Sequence, residues 1–238
     1  MKLAIIGYGK MGKEVEKIAV SRGHEVIFKL DRLQFESLSK EDFLKVDVAI
    51  EFTNPDSVIA NLEKCFNAQV PVVTGSTGWY DQFENVKNKC LQNNSALFYA
   101  SNFSIGVNIF FKLNEHLAAL MKPHTDYKVS MEEAHHIHKK DAPSGTAITL
   151  AKGIISNRDD LKNYSIEETN DESIIPIKII REGEIPGTHT INYHSLTDEI
   201  QIIHKAFNRS GFAFGAVMAA EFLIGKKGVF SMKDLLND

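Results

Sequence analysis

Short apolar runs alternate with amphipathic stretches over the first hundred residues. The runs have strand length and are rich in Val, Ile and Phe, whereas the stretches between them repeat apolar residues at helical spacing, as Met11, Val15 and Ile18 do. We predict strands over 2–6, 25–30, 46–52, 70–74 and 95–99, and helices over 11–22, 55–67 and 80–93. Strands that alternate with helices are typical of a parallel, doubly wound sheet, so this region predicts a Rossmann-type α/β unit.

The pattern changes after residue 102. We predict helices over 106–121, 147–155 and 211–224, and strands over 127–133, 174–181, 188–195 and 199–207. We interpret the polar stretch 157–173 as a loop, and we expect the last two strands to form a hairpin around 196–198. This half of the chain therefore predicts an α+β unit with a mixed or antiparallel sheet.

The composition is that of a globular protein and argues against nucleic-acid or membrane binding. The 238 residues are 43% hydrophobic and 24% charged, and 27 basic against 31 acidic residues give a formal net charge of -4. No basic surplus would attract nucleic acid or an anionic membrane, and no apolar run reaches membrane-spanning length or forms a signal peptide. The two cysteines, Cys65 and Cys90, lack metal-ligand spacing, which favours free thiols in a cytoplasmic protein.

A glycine-rich loop joins the first predicted strand to the first predicted helix. Its GxGxxG pattern permits a tight turn and a close approach of the backbone to a pyrophosphate. Asp31 follows 19 residues after Gly12, at the end of the second predicted strand, where a carboxylate would accept hydrogen bonds from a ribose. Arg32 is compatible both with pairing to a 2′-phosphate and with a solvated surface charge. The predicted coenzyme-binding residues of the loop are Gly7, Tyr8, Gly9, Lys10, Met11 and Gly12.

Two further segments of mostly small residues follow predicted strands. They would lie at the carboxyl ends of parallel strands, where ligands bind in open α/β sheets. Ordinary turns between strand and helix have a similar composition, so these segments indicate a coenzyme site only together with the glycine-rich loop. The candidate residues are Gly75, Ser76 and Thr77 in the first segment, and Ala100, Ser101, Asn102 and Phe103 in the second.

The segment from His135 to Thr146 combines groups that move protons with groups that bind anions. Three imidazoles and two ammonium groups lie between His135 and Lys140, and Ser144 then opens an apolar helical run. Serine is a typical N-cap, and a helix N-terminus presents free N–H groups and a partial positive charge to an anion. The pattern predicts a site that holds a carboxylate and transfers protons. Because the histidines lack zinc-ligand spacing, we predict no metal; solvated loop histidines are the alternative interpretation.

Residues 133–147 closely resemble the signature of the 4-hydroxy-tetrahydrodipicolinate reductase (dihydrodipicolinate reductase) family of lysine and diaminopimelate biosynthesis. The matching pattern is Glu133-x-His135-x3-Lys139-x-Asp141-x-Pro143-Ser144-Gly145-Thr146-Ala147. The resemblance extends to the glycine-rich loop and to the segments 51–53, 75–78, 101–104 and 209–216. The chain departs from the family at Lys10, where Arg is usual in a loop of one more residue, and at Glu51, where Asp is frequent.

The resemblance implies an oxidoreductase that uses NADH or NADPH. Its reaction would reduce the dehydrated, cyclic imine form of 4-hydroxy-tetrahydrodipicolinate to 2,3,4,5-tetrahydrodipicolinate. The family pattern implies a general acid/base role for His135, a proton-donor role for Lys139 and a substrate contact for His136. By the same resemblance, a substrate carboxylate would be held by Ser144, Gly145 and Thr146.

The resemblance also implies how the chain is divided. Residues 1–103, completed by 209–238, would bind the dinucleotide, whereas residues 104–208 would bind the small dicarboxylate substrate and form a homotetramer through their sheet. Asp31 favours NADH and Arg32 favours NADPH, so we expect both coenzymes to be used, with a preference for NADH. Two other functions stay open from the sequence: a hydratase or cyclase that uses the same cationic site, and a non-catalytic dinucleotide sensor.

Overall fold

Two compact units make up the chain in the computed structural model. The structure describes residues 1–208 and 210–237, and the side chains of Arg32, Leu33 and Lys40 lie outside the described part. One unit contains Met1–Ile105 and Ser210–Asp238, and the other contains Gly106–Arg209. No helix in the described ranges is both long and apolar enough to cross a membrane.

The strands and helices are numbered in chain order. The strands are β1 (Lys2–Ile6), β2 (Glu25–Leu30), β3 (Val48–Glu51), β4 (Val72–Thr74), β5 (Ala96–Tyr99), β6 (Lys128–His135), β7 (Asn163–Ser165), β8 (Ile174–Arg181), β9 (Gly187–His194), β10 (Glu199–Ala206) and β11 (Gly228–Phe230). The helices are α1 (Lys10–Ser21), α2 (Arg32–Ser37), α3 (Lys40–Phe43), α4 (Pro55–Asn67), α5 (Phe83–Gln92), α6 (Ile105–Met121), α7 (Gly145–Ile155), α8 (Ser210–Leu223) and α9 (Met232–Leu235). A 3₁₀ turn at Tyr80–Gln82 precedes α5.

The first unit is built on a six-stranded sheet with the order β11-β5-β4-β3-β1-β2. Every pair of neighbouring strands is parallel, which confirms the predicted doubly wound sheet. Alternate residues of β1 face opposite sides: Leu3 and Ile5 join a core with α1 and α8, whereas Ala4 and Ile6 join a core with α4. The strand order reverses between β1 and β3, which is where open α/β sheets bind dinucleotides.

Helix α8 packs closely against the loop that follows β5. A Cβ atom at Gly215 would lie 1.8 Å from the carbonyl oxygen of Phe103, so only glycine permits this contact. The small residues Ala213, Ala216 and Ala220 are fully buried on the same helix. This close packing accounts for the many Ala and Gly residues in α8, the last of the predicted helices.

The second unit contains a five-stranded mixed sheet with the order β10-β9-β6-β8-β7. Strand β6 runs antiparallel to β9 and parallel to β8, which confirms the predicted mixed sheet. Helices α6 and α7 cover one face, and the core between the helices and the sheet includes Phe110, Leu150, Ile154, Ile191 and Tyr193. The predicted hairpin is confirmed, because β9 and β10 are antiparallel and Ser195 N donates to Asp198 O at 2.9 Å.

Several short elements differ from the predictions. The predicted loop 157–173 contains β7, a polar strand of three residues that pairs with β8, and the short elements α2, α3, β11 and α9 were not predicted. Such short elements carry too little periodicity to identify from sequence. Strand β6 also extends to His135 rather than ending at residue 133, with buried and less buried residues alternating along it. This extension places His135 at the carboxyl end of a strand.

Candidate active site

The glycine-rich loop in the first unit is shaped for a pyrophosphate. Gly7 has a φ of +92°, and a Cβ atom there would lie 2.1 Å from the carbonyl oxygen of Phe52. Gly9 is the N-cap of α1 and provides no side-chain cap. Gly12 packs against the loop, because its Cβ would lie 2.5 Å from the Gly7 oxygen. The uncapped N–H groups of α1 are therefore directed at a space where the backbone is open to an anion.

Two cavities flank this loop in the first unit. A cavity of about 370 Å³ joins Gly7, Tyr8 and Gly9 to Asp31. A second cavity of about 320 Å³ joins the loop to the segment after β4; its lining includes Gly9, Lys10, Met11, Gly75, Ser76 and Thr77. The fold thus brings together the glycine-rich loop, the acidic residue after β2 and the first small-residue segment.

Asp31 is held in place by the short helix that follows it. Its Oδ1 accepts a hydrogen bond from Gln34 N at 2.9 Å, and Gln34 Oε1 accepts one from Asp31 N at 2.9 Å. This capping box fixes the carboxylate beside the cavity and leaves Oδ2 without a partner in the described residues. The side chain of Arg32 lies outside the described part of the chain, so its predicted role stays a prediction.

The second small-residue segment contacts residues next to the two cavities. Ala100 N donates to Thr74 O at 3.3 Å, and Asn102 Oδ1 accepts from Ser104 N at 2.9 Å. The buried ring of Phe103 lies 5.9 Å from that of Phe52, whose residue lines both cavities. Neither cavity is lined by Ala100, Ser101, Asn102 or Phe103.

The loop residues Tyr8 and Lys10 differ in their surroundings. The Tyr8 hydroxyl donates to Glu16, which also pairs with Lys29. The Lys29 ammonium lies 5.8 Å from the centre of the Tyr8 ring. Lys10 is exposed at the start of α1, so its ammonium is available to an anion at the loop.

In the second unit, His135 lies at the end of β6 in a nearly closed environment. Only 9% of the residue is exposed, and its Nε2 is buried without a hydrogen-bond partner in the described residues. Gly187 makes room for the ring, because a Cβ atom there would lie 2.9 Å from His135 Cε1. Burial lowers the pKa of His135 below its ordinary value, with the charges of Lys139 and Arg181 acting in the same direction and Glu133 opposing them.

A buried carboxylate lies behind His135. Glu133 is fully buried; its oxygens accept from Arg181 Nη2 at 2.8 Å and from Ser144 N at 3.0 Å. Burial alone would raise the pKa of Glu133, but the hydrogen bonds from Ser144 and Arg181 together lower it below its ordinary value. Glu133 is thus a buried anion that is held charged by its two partners.

His189 completes this network from β9. Its ring lies 5.2 Å from that of His135, and its Nε2 lies 3.2 Å from Ser144 Oγ. Burial, with a smaller contribution from His135, lowers the pKa of His189 to about 4, so this imidazole is neutral at pH 7.

Sequence reasoning assigned no role to Glu133 and did not identify Arg181 or His189. The strand register opposes Arg181 to His135 and His189 to Glu133, and no local motif carries that information. Identifying Arg181 and His189 would require the pairing register of the predicted strands to be known.

Helix α7 begins as the sequence predicts. Ser144 is its N-cap, and its Oγ accepts from Ala147 N at 3.2 Å. The N and Oγ of Ser144 are both engaged within the protein, whereas the N–H groups of Gly145 and Thr146 have no acceptor in the described part of the chain. The two free N–H groups and the positive end of the helix dipole form an anion site.

Lys139 and His136 lie on the more exposed side of the segment. The Lys139 ammonium is 2.8 Å from both carboxylate oxygens of Asp141, and this hydrogen bond lowers the pKa of Asp141. His136 is half-buried, and its Nδ1 is buried without a partner in the described residues. Its ring lies 6.1 Å from that of His138, which pairs with Glu184. The ammonium of Lys139 is thus held by the Asp141 carboxylate.

Ligand atoms of Glu133, His135 and His189 lie within 4.8 Å of one another, a spacing that a metal ion would also fit. However, Arg181 and Ser144 already donate to the Glu133 carboxylate, and the guanidinium would repel a cation. The contacts therefore describe a hydrogen-bonded network, and the predicted absence of a metal stays a prediction.

A doubly wound sheet with a glycine-rich loop where its strand order reverses, followed by a second unit that carries a cluster of histidine, lysine and arginine side chains, is the architecture of a two-unit NAD(P)-dependent oxidoreductase. Family models of the N-terminus and the C-terminus of dihydrodipicolinate reductase match residues 1–103 and 106–236. The chain belongs to the dihydrodipicolinate reductase family. This confirms the resemblance, and with it an NAD(P)H-dependent reductase of lysine and diaminopimelate biosynthesis.

Individual relatives agree with this assignment. A 4-hydroxy-tetrahydrodipicolinate reductase from Christiangramia forsetii is 48% identical over 238 residues, which cover 100% of this chain and 98% of that protein. The dipicolinate-bound dihydrodipicolinate reductase from Paenisporosarcina sp. TG-14 has the same fold, with a TM-score of 0.76, 24% identity and 97% of each chain covered. A probable dehydrogenase from Thermotoga maritima is a more distant match, with a TM-score of 0.56 at 9% identity over 99% of this chain and 92% of that one.

Proposed function

We propose that the reduction takes place at the segment 135–146, with the coenzyme on the glycine-rich loop and the dicarboxylate substrate on the N-terminus of α7. The observation that supports this most directly is the free N–H pair of Gly145 and Thr146 in the same unit as the unpartnered Nε2 of His135. The bound dinucleotide supplies the hydride. The protein binds the substrate carboxylates, orients the ring and supplies a proton to the ring nitrogen as the hydride adds to the conjugated carbon, which gives an enamine. The ring carbon next to the C–N carbon then takes up a proton while the nitrogen gives up its own, which leaves the imine 2,3,4,5-tetrahydrodipicolinate.

The two proposed proton-transferring groups have different charges at neutral pH. Because burial lowers the pKa of His135, its imidazole is neutral at pH 7 and acts as a hydrogen-bond partner and proton acceptor. The Lys139 ammonium is the proton donor, and its positive charge also stabilises the electron density that moves onto the ring nitrogen. His136 contacts the substrate from the same side. Ser144 contributes by capping the helix whose N–H groups bind the carboxylate.

The coenzyme contacts proposed here follow the two cavities of the first unit. The pyrophosphate lies on the loop 7–12, Asp31 accepts from the adenosine ribose, and Gly75, Ser76 and Thr77 line the nicotinamide side. The segment from Ala100 to Phe103 lines neither cavity and acts indirectly, because the Phe103 ring packs against Phe52, which lines both. The capped carboxylate of Asp31 favours NADH, and Arg32 permits NADPH.

A dicarboxylate test addresses the substrate site. Pyridine-2,6-dicarboxylate, the class of ligand bound by the solved Paenisporosarcina relative, is expected to compete with substrate, with one carboxylate on Gly145 and Thr146. Gly145→Pro removes one N–H at the first helical position, where proline is tolerated, and Ser144 already has the extended conformation (φ -68°, ψ 157°) that precedes proline. The inhibition constant should rise by about tenfold or more, the loss expected for a hydrogen bond to a charged group.

The matched comparison is Gly145→Ala, which keeps the N–H group. Its Cβ meets nothing within 4 Å, so this variant should bind the analogue more tightly than the proline variant does. Equal inhibition constants for the two variants, or a crystal structure with the analogue away from α7, would place the carboxylate site elsewhere.

Coenzyme choice tests the position of Asp31. Changing Asp31 to Ser should shift the ratio of kcat/KM for NADH and NADPH towards NADPH, because the anion that repels a 2′-phosphate is removed. Arg32→Ala should weaken the use of NADPH selectively. The measurement is kcat/KM for both coenzymes in the parent and in both variants. An unchanged ratio in Asp31→Ser would mean that Asp31 does not contact the ribose.

We also propose a cytoplasmic homotetramer that associates through the second sheet. Strand β10 forms an edge of that sheet in the isolated chain and leaves Ile200 and Ile203 exposed. Light scattering on the purified protein measures this directly, and a monomeric mass would exclude the tetramer.

A further inference from the structure

Glu51 is a buried carboxylate that none of the proposed steps uses. It ends β3 with 0% of its surface exposed, and it forms no ion pair with a basic side chain in the described part of the chain. Burying an ionisable side chain is costly unless hydrogen bonds satisfy it, so its partners indicate what it does. All its partners are neutral donors from the first unit.

The Glu51 carboxylate accepts hydrogen bonds from two loops and one strand. Oε1 accepts from Thr53 N at 3.0 Å, from the Thr53 hydroxyl and from Ser76 Oγ at 3.0 Å. Oε2 accepts from Thr74 Oγ1 at 2.5 Å. The carboxylate therefore ties the loop after β3 to the loop after β4, and Thr53 N also donates to Ser76 Oγ at 2.9 Å.

Both tied loops line the proposed coenzyme cavities. The larger cavity includes Thr53, and the smaller one includes Thr53 and Ser76. The Thr53 hydroxyl also accepts from Ser57 Oγ at 3.0 Å and from Asn61 Nδ2 at 3.2 Å, two residues that line the larger cavity. The buried carboxylate of Glu51 thus holds polar residues that line both cavities.

The packing around these loops leaves little freedom. The ring of Phe52 lies so close to Gly75 that a Cβ atom there would be 1.9 Å from its Cε1, and the Phe52 carbonyl touches Gly7. A shift of either loop would therefore move Phe52 against the pyrophosphate loop. Since the strand order reverses between β1 and β3, the loops after β3 and β4 lie on the nicotinamide side of the cradle.

We propose that Glu51 is a positioning residue for the coenzyme: it does not touch the dinucleotide, but it fixes the loops at Thr53 and Ser76 at the spacing that the nicotinamide half requires. This inference rests on the coenzyme site proposed above. Glu51→Gln keeps the shape of the side chain but removes its negative charge and one of its two acceptor atoms. With the amide oxygen kept on Thr53 N, the amide N–H group faces the Thr74 hydroxyl, which can then accept but no longer donate. Losing the acceptor should loosen the pair of loops without opening a cavity.

The test compares two ligands on the full chain. In Glu51→Gln the Kd for NADH and the KM for NADH should rise by about tenfold, while the Kd for pyridine-2,6-dicarboxylate stays within about twofold of the parent. Glu51→Asp keeps both acceptor oxygens but withdraws them by one methylene, so its Kd for NADH should lie between those of the parent and the Gln variant. Glu84→Gln is the matched control, because Glu84 is an exposed carboxylate on α5 whose ion-pair partner is Lys87.

A second variant covers the case in which Glu51→Gln does not fold. Thr74→Val keeps the shape but removes the hydroxyl that donates to Glu51 and accepts from Ser76 N at 3.3 Å, so it loosens the same pair of loops from β4. Thr74 lines neither coenzyme cavity. It should raise the Kd for NADH by about threefold, with the affinity for the dicarboxylate unchanged.

The outcomes separate this inference from the site it rests on. Unchanged NADH affinity in the folded variants, or an equal loss for both ligands together with a lower melting temperature, would overturn the positioning role of Glu51. If the parent bound NADH but a crystal structure placed it away from the loop at Ser76, the proposed coenzyme site would fall, and the role of Glu51 would fall with it.

Discussion

Lys139→Ala is expected to lower kcat by about 10²–10⁴-fold, the usual contribution of a positioned proton donor. The Kd for NADH should stay within about twofold of the parent, because Lys139 belongs to the second unit whereas the glycine-rich loop belongs to the first. Steady-state kinetics with NADH and freshly formed substrate give kcat, and fluorescence titration gives the Kd.

Two further variants separate the proton of Lys139 from its charge. Lys139→Arg keeps the positive charge that pairs with Asp141, but a guanidinium does not release its proton near neutral pH, so kcat should remain low. Lys140→Ala removes the neighbouring exposed ammonium and serves as the control. Turnover of Lys139→Ala within about threefold of the parent would remove Lys139 from the reaction.

Arg181→Met is expected to lower the free energy of unfolding by about 2–3 kcal/mol at pH 7, because it leaves the fully buried Glu133 without its cationic partner. The figure is below that of a fully buried ion pair because the Arg181 side chain is 20% exposed. Urea denaturation at several pH values measures the difference. Arg181→Lys keeps the charge and should recover part of the loss.

The pH dependence of this difference has a defined sign. The pKa of Glu133 lies below its ordinary value in the folded protein, so its stabilising contribution is present above the unfolded pKa of about 4.3 and is lost as the pH falls through the folded pKa. The parent should therefore lose more stability than Arg181→Met as the pH falls below about 5. A difference under about 1 kcal/mol at pH 7, or one that does not change with pH, would mean that Arg181 does not stabilise the Glu133 anion.

His189 adds a separate effect in the parent. Its pKa is lowered to about 4 in the folded protein, so the unfolded chain takes up a proton at higher pH than the folded chain does. Stability should fall as the pH drops from about 6.5 towards 4 even while Glu133 remains charged. The comparison with Arg181→Met is made at each pH so that this shared contribution largely cancels.

Local motifs could be predicted from the sequence because their residues act within one turn of chain. The glycine-rich loop, the cap at Ser144 and the free N–H groups after it all follow from residues that are neighbours in sequence. The capping box of α2 could have been found in the same way, since Asp31 and Gln34 have its spacing. The prediction that Asp31 binds ribose does not include the helix that Asp31 also caps.

Contacts that depend on strand register could not be predicted. Arg181 reaches Glu133 because β8 lies parallel to β6, and His189 reaches it because β9 lies antiparallel on the other side. Glu51 meets Ser76 only because β3 and β4 are adjacent. In each case the function of a buried charge depends on partners tens of residues away, which periodicity does not specify.

The most direct test of the proposed chemistry follows the transferred hydrogen. The purified protein is incubated with freshly formed 4-hydroxy-tetrahydrodipicolinate and NADH that carries deuterium at the transferable position, and the product is analysed by mass spectrometry. Hydride reduction predicts one deuterium in each molecule of 2,3,4,5-tetrahydrodipicolinate and one NAD⁺ formed per product, and Lys139→Ala should slow both together. Consumption of the substrate with all the deuterium still in NADH would contradict hydride transfer and would instead indicate a hydratase or cyclase.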